Sequence, residues 1–296
     1  MKPLFQLVPD TSPLPGGCWS PFVEDVATQS YSYVLPYGQA SSSGWATPSQ
    51  LDDWFTALHP SSFDNNAASN NNEAWTDASY KGTTLLRKTA WMTMDDACTC
   101  DYGYSDTWQP QAKCPPFLTT IRYITQHIRQ VTGVSTLNSC NLNYYPQGGG
   151  VGFHADDEFL FDSQNRDACI VSLSLCRGNR NDNDSGARKF VAKRQKPGET
   201  EDDTQDQYSD TTTQEIVLRH GDIMTMEGMF QKYYFHSVWP GDRQDYVGGQ
   251  HPYTQGERIN LTWRTIVQHL DGSEECRGKI CPQSKFSTAA NENQSN

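Results

Sequence analysis

The stretch Arg258-Ile259-Asn260-Leu261-Thr262-Trp263-Arg264 alternates polar and apolar residues without a break. Successive side chains of an extended chain leave on opposite faces. Ile259, Leu261 and Trp263 therefore share one face, and Arg258, Asn260, Thr262 and Arg264 share the other. A strand at a solvated edge would alternate in the same way. Two arginines framing an amide and a hydroxyl also make a wall suited to a dicarboxylate, because each planar guanidinium donates two parallel hydrogen bonds to a carboxylate.

Short strands of this kind fill the C-terminal half. The pattern predicts them at about 137–145, 151–156, 168–176, 188–194, 214–219, 223–227, 233–239 and 258–268, punctuated by Gly, Pro, Asn and Asp. Ahead of them, Thr47-Pro48 reads as an N-cap and first helical position, so a short helix over LDDWFTAL follows. Residues 83–94 read as a strand. Pro115-Pro116 opens a second helix in which Phe117, Leu118, Ile121, Ile124, Ile128 and Val131 recur at helical spacing, and Gly133 stops it. Helices followed by many short strands predict an α+β fold, a β-sandwich or barrel carrying helices on one side. Residues 1–82 read as a partly irregular N-terminal extension, 83–282 as the folded domain and 283–296 as a flexible tail.

A chain of 296 residues with 35% hydrophobic and 20% charged residues can bury a sizeable core. It contains no apolar run long enough for a membrane helix and no secretory leader pattern, so an intracellular monomer, nuclear or cytoplasmic, is expected. The net charge of −12 argues against a generic polyanion-binding surface. Residues 196–215 concentrate that charge, with seven acidic side chains against Lys196 alone. The insert at 195–213 is expected to loop out between two strands. Nine cysteines, an odd number over a long chain, read as free thiols of a reducing compartment. Cys98/Cys100 and Cys276/Cys281 are the tight pairs. A structural zinc site built from them is an alternative, although neither has the C-x2-C spacing.

His154-Ala155-Asp156 places two metal-ligating side chains at i and i+2, on one side of an extended chain. With one distant histidine, such a pair makes a 2-His-1-carboxylate triad, which suits iron(II) because one face of the octahedron stays open. His236, in the strand-like run Tyr233-Tyr234-Phe235-His236-Ser237-Val238-Trp239, is the best third ligand. Just before the pair, Asn143-Tyr144-Tyr145-Pro146-Gln147-Gly148-Gly149-Gly150 puts Asn143 and Tyr145 on one face and then turns.

Together, Asn143-Tyr144-Tyr145, His154-Ala155-Asp156, His236 and the Arg258–Arg264 strand resemble the AlkB family of nucleic-acid dealkylases, over about residues 84–268. The turn His220-Gly221-Asp222 is similar as well. The resemblance implies a double-stranded β-helix, or jelly roll. It implies Fe(II) held by His154, Asp156 and His236, and 2-oxoglutarate held by Asn143, Tyr145, Arg258, Asn260 and Arg264. It further implies O2 as co-substrate and a demethylase activity of the DNA-repair kind on 1-methyladenine or 3-methylcytosine in DNA or RNA, on a single strand or a flipped-out base, releasing formaldehyde, succinate and CO2.

By the same resemblance, a lid over about 84–114 carries Arg87, Tyr102 and Tyr104, with Tyr104 stacking on the flipped base. Asp157 or Glu158 contacts its exocyclic amine, and Arg188 meets phosphate. The bland readings are core tyrosines, carboxylates that merely surround the metal and an ordinary solvated arginine. Two other functions stay open at this stage: a 2-oxoglutarate oxygenase of a protein or small molecule, and a non-enzymatic zinc-binding module.

Overall fold

The computed structural model describes residues 19–37, 45–63, 74–80, 82–104, 107–178, 186–196, 213–239 and 256–284. The acidic residues 197–212 and the end of the expected tail, 285–296, lie outside the described residues.

An eight-stranded antiparallel sheet forms the larger layer. Its spatial order is β1 (Ser20–Asp25), β2 (Ser30–Leu35), β12 (Ile223–Gly228), β9 (Ile170–Arg177), β14 (Glu257–Arg264), β7 (Ser139–Tyr145), β4 (Thr83–Thr93) and β3 (Thr76–Tyr80). A four-stranded sheet forms the second layer, in the order β11 (Thr213–Leu218), β10 (Arg188–Arg194), β13 (Tyr234–Trp239) and β8 (Val151–His154). A hairpin of β5 (Tyr102–Tyr104) and β6 (Thr107–Gln109) stands apart. Two antiparallel sheets face to face, with helices on the outer side of the larger one, make the jelly-roll core that the resemblance implied.

The alternation of the 258–264 stretch is explained by its position. β14 lies in the middle of the large sheet, paired with β9 on one side and β7 on the other, so the solvated-edge reading is excluded. Ile259, Leu261 and Trp263 point outward and meet two helices, α1 (Pro48–Leu58) and α2 (Pro115–Thr132), in the main core cluster. α2 contributes Phe117, Ile121, Ile124, Ile128 and Val131. Each such side chain stabilises the fold by about 1.5–3 kcal/mol when fully buried. Trp263 also donates its indole N–H to Thr125 Oγ1 at 2.8 Å.

The helix ends follow the expected chemistry. Thr47 and Gln50 form a capping box at α1, with Pro48 at the first helical position. Gly133 closes α2 at φ +72°, a conformation costly for any residue with a Cβ. Gly148, at φ +77°, makes the turn between β7 and β8.

The N-terminal boundary needs correction. The described parts of the expected 1–82 extension are built into the domain: β1 and β2 complete one end of the large sheet, β3 forms the other edge, and α1 buries Leu51, Trp54, Phe55 and Leu58 against it. β2 reads SYSYVL, and polar Ser30 and Ser32 are fully buried there. Ser32 donates to the Thr225 carbonyl at 2.6 Å, which lets a weakly apolar segment serve as an inner strand.

Candidate active site

β14, β7 and β8 carry most of the predicted site, and their registers decide how it assembles. Across the β14–β7 ladder, Arg258 lies opposite Tyr145, Asn260 opposite Asn143 and Thr262 opposite Asn141. The polar face of one strand therefore lies alongside the polar face of the other, aimed at the space between the two sheets. In the smaller sheet His154 and His236 are cross-strand partners on β8 and β13. All of these residues line one pocket, together with Arg87, Tyr102, Tyr104, Asp156 and Arg264.

The three expected metal ligands converge. His154 Nε2 lies 3.8 Å from Asp156 Oδ1, and His236 Nε2 lies 4.0 Å from Asp156 Oδ2. The two imidazole centroids are 4.2 Å apart. His154 Nδ1 sits 2.9 Å from the Gly152 carbonyl, so a proton on Nδ1 leaves Nε2 free to ligate. His236 stacks on Phe190, at 5.4 Å and 18° between planes.

Burial sets the protonation of this group. It depresses the imidazolium form of both histidines, and with His154 alongside, His236 is held down at about 3. Burial works against ionisation of Asp156 too, but Arg264 and the two histidines outweigh it and keep the carboxyl at about 2. Two neutral imidazoles and an ionised carboxylate are the protonation states a divalent metal requires.

Arg264 reaches Asp156 Oδ2 with Nη2 at 2.5 Å. Arg258 is 1% exposed, and among the described residues no carboxylate pairs with it. Its Nη2 donates to Ser174 Oγ at 3.0 Å and to Asn260 Oδ1 at 2.6 Å. Nε and Nη1 of Arg258, and Nε and Nη1 of Arg264, are buried without a hydrogen-bond partner. Two buried guanidinium groups with vacant donors, one beside the triad and one at the far end of the same strand face, are the pattern expected for a ligand with a carboxylate at each end.

A family profile described as "2OG-Fe(II) oxygenase superfamily" matches residues 40–264. The chain belongs to the 2OG-Fe(II) oxygenase superfamily. Among solved structures, one titled "The structure of OsALKBH1" is similar at 17% identity, covering 79% of this chain and 96% of that one, with a TM-score of 0.41. No curated protein matches the sequence. The oxygenase uses Fe(II) and 2-oxoglutarate, and its residues fit both: a His-Asp-His donor set for the metal, and two arginines with orphaned donors for the dicarboxylate.

Other predicted residues of the oxygenase divide in two groups. Arg87 and Tyr104 line the pocket, and the Tyr104 ring stands edge-on to His154, at 6.4 Å and 89°. Tyr102 lines it too but is only 6% exposed, stacks on Trp91 at 5.0 Å and donates its hydroxyl to Glu158. Arg188, Asp157 and Glu158 are not brought into this pocket. Arg188 is fully buried and donates to the carbonyls of Gly149, Gly186, Ala187, Pro146 and Gly256. It ties three loops together, so the expected phosphate contact is corrected to a buried structural one. Asp157 is exposed and accepts from Gln164. Glu158 lies behind Tyr102, where burial and then Asp156 raise its carboxyl to about 8. The His220-Gly221-Asp222 turn is structural as well: Asp222 accepts the backbone N–H groups of Tyr37 and Arg219, and His220 that of Cys176.

Sequence reading missed Asn141, Ser172 and Ser174. Asn141 could have been found by extending the Asn143/Tyr145 face two residues upstream. The serines on β9 carry no pattern that separates them from other buried serines; they enter the site because β9 pairs with β14.

Proposed function

We propose that this oxygenase removes N-methyl groups from bases of DNA or RNA by oxidising the methyl carbon. The observation that carries the reading is the placement of the Tyr104 ring beside His154, edge-on at 6.4 Å, in a pocket shared with the triad and both arginines. An aromatic ring beside the first metal histidine, once turned flat, offers a slot for a flat base taken out of its stack. The AlkB-type spacing of Asn143, Tyr145, His154, Asp156, His236 and the Arg258–Arg264 strand supports the same choice of substrate class.

In this scheme His154, Asp156 and His236 hold Fe(II). Arg258 pairs with the distal carboxylate of 2-oxoglutarate, while Asn143, Tyr145, Asn260 and Arg264 orient the rest of that molecule. Iron, 2-oxoglutarate and O2 together supply a two-electron oxidation of the substrate C–H bond, the co-substrate leaving as succinate and CO2. The hydroxymethylated nitrogen that results breaks down to formaldehyde and the unmodified base. Phe190, Met226 and Val238 form the apolar side of the pocket and exclude water around the metal ligands. Tyr104 turns flat against the base, with Tyr102 fixed beneath it, and Arg87 supplies positive charge on the lid side.

The test is turnover of single-stranded oligonucleotides carrying 1-methyladenine or 3-methylcytosine, read as formaldehyde and succinate. Tyr104→Ala should weaken the oligonucleotide substrate by the loss of one stacked base, about 1–3 kcal/mol, and leave uncoupled 2-oxoglutarate decarboxylation intact. Iron and 2-oxoglutarate binding without turnover of any methylated oligonucleotide would overturn the reading. It would favour a protein or small-molecule substrate, a choice that the net charge of −12 also favours.

A further inference from the structure

Cys98, Cys100, His269 and Cys281 form a second convergent group, in a separate cluster from the iron triad. The four potential ligand atoms lie within 4.8 Å of one another. His269 Nδ1 is 3.6 Å from Cys98 Sγ, 3.5 Å from Cys100 Sγ and 3.6 Å from Cys281 Sγ. A tetrahedral zinc ion with Zn–S about 2.3 Å and Zn–N about 2.0–2.1 Å has a sulfur-to-nitrogen edge of about 3.6 Å. One ring nitrogen therefore stands from three sulfurs at the spacing that a shared zinc ion demands.

Hydrogen bonding alone does not account for this convergence. A ring nitrogen can donate one proton or accept at one lone pair, so three sulfurs crowding it cannot all be served. The three cysteines are buried at 4%, 0% and 0% exposure and are free thiols. The backbone around them is also fixed. Gln111 Nε2 donates to the Cys98 carbonyl at 2.7 Å, and Trp91 Nε1 to the Cys100 carbonyl at 3.0 Å. On the other side, Cys281 N donates to the Leu270 carbonyl at 2.7 Å, and an antiparallel bridge joins Asp271 to Ile280, which brings Cys281 beside His269.

We propose that Cys98, Cys100, His269 and Cys281 bind a structural zinc ion. Four protein ligands close the tetrahedron and leave no position for substrate or water, so the site is structural. Its place in the fold says what it secures. Cys100 lies two residues before Tyr102, at the start of the hairpin that carries the aromatic wall of the active site. His269 lies five residues after Arg264, where the arginine strand ends. The ion clips the lid to the C-terminal segment 265–284. The start of that segment is anchored independently, by Ile266 N to Asn138 Oδ1 and Val267 N to the Leu160 carbonyl, and Ile266 and Leu270 pack in one apolar cluster with Trp91 and Tyr102. Its far end meets the lid through Lys279 with Asp101 and through Gln283, which donates to Asp95 at 2.6 Å, an exposed contact that contributes little. Small segments without a core of their own are commonly held by a metal or a disulfide. The site is independent of which substrate the oxygenase uses.

Full-length protein prepared in the presence of zinc and then stripped of iron should retain about one zinc ion per chain. Replacement of that ion by Co(II) should give the thiolate-to-cobalt charge-transfer absorption of a tetrahedral site. His236→Ala, which dismantles the iron triad, should keep the zinc and the cobalt spectrum, whereas His269→Ala and Cys281→Ser should lose both. Folded wild-type protein holding less than about a tenth of an equivalent of zinc, with its cysteines open to a thiol reagent, would overturn the proposal. So would zinc that survives Cys281→Ser and is lost in His236→Ala, because the ion would then sit in the triad. The wild-type measurement decides the matter even if the cysteine variants do not fold.

Discussion

Arg264 donates to Asp156 Oδ2 across 2.5 Å, joining the last residue of the central arginine strand to the carboxylate of the iron triad. Both groups are almost fully buried. The pair couples the two halves of the site: the strand proposed to receive 2-oxoglutarate also fixes the rotamer and the charge of a proposed metal ligand. Arg264→Met should therefore weaken metal binding as well as co-substrate use. Removing a partner that orients a ligand typically costs 10–100-fold in metal affinity. Metal titration of the variant without 2-oxoglutarate checks this, and an unchanged affinity would restrict Arg264 to the co-substrate.

Arg258 has a different expected signature. Its guanidinium is buried, paired with no carboxylate among the described residues, and far along the strand from the triad. Arg258→Met should leave metal affinity unchanged and raise the KM for 2-oxoglutarate steeply. Breaking a buried charge pair costs about 3–5 kcal/mol, or roughly two to four orders of magnitude. A 2-oxoglutarate titration that matches wild type would remove Arg258 from the pocket.

Asp156→Ala should abolish oxidation and leave the fold largely intact. The mutation deletes the only carboxylate of the triad but no part of the apolar core. Circular dichroism and succinate release, measured on the same sample, separate the two effects. Loss of secondary structure would show that the Arg264 pair is needed for folding.

Ile121→Ala tests the helical layer. Ile121 is fully buried where α2 packs on the outer face of β14. Deleting a buried branched side chain of this size costs about 2–5 kcal/mol. Equilibrium denaturation should show that loss while the iron affinity of the folded protein is retained.

Glu257 gives a pH dependence. Its carboxylate accepts from the Tyr144 hydroxyl and lies 3.1 Å from His59 Nε2. Partial burial raises its pKa, but these two hydrogen bonds outweigh that effect and hold the folded-state value below the ordinary 4.5. The stability it contributes is therefore fully present above about pH 4.5 and is lost as pH falls through the lower folded value. The stability gap between wild type and Glu257→Gln should be constant in neutral solution and close in acid. A gap that widens on acidification would contradict the assignment.

Much of this architecture is legible in the sequence. Period-two alternation at 258–264 marks a strand, and the apolar stripe from Phe117 to Val131 marks the helix that covers it. The i, i+2 spacing of His154 and Asp156 was readable for the same reason, since neighbouring residues on one strand face are neighbours in the sequence. The N-terminal strands were not legible, because the buried serines of SYSYVL disguise an inner strand, where the Ser32 hydroxyl is satisfied by the Thr225 carbonyl of β12. Arg188 misled for the opposite reason. Arginine is usually a surface group, and only the convergence of five carbonyls shows this one to be a buried clamp.

The sequence by itself determined the alternation of the arginine strand, the metal-ligand types and the family to which they point. These depend on local spacing, which the chain carries along its own length. The tertiary structure decided that the arginine strand is central and buried, that Asn260 faces Asn143, and that Cys98 and Cys100 meet His269 and Cys281. Those pairings join residues more than a hundred positions apart, and only closure of the sheets brings them within reach of one another.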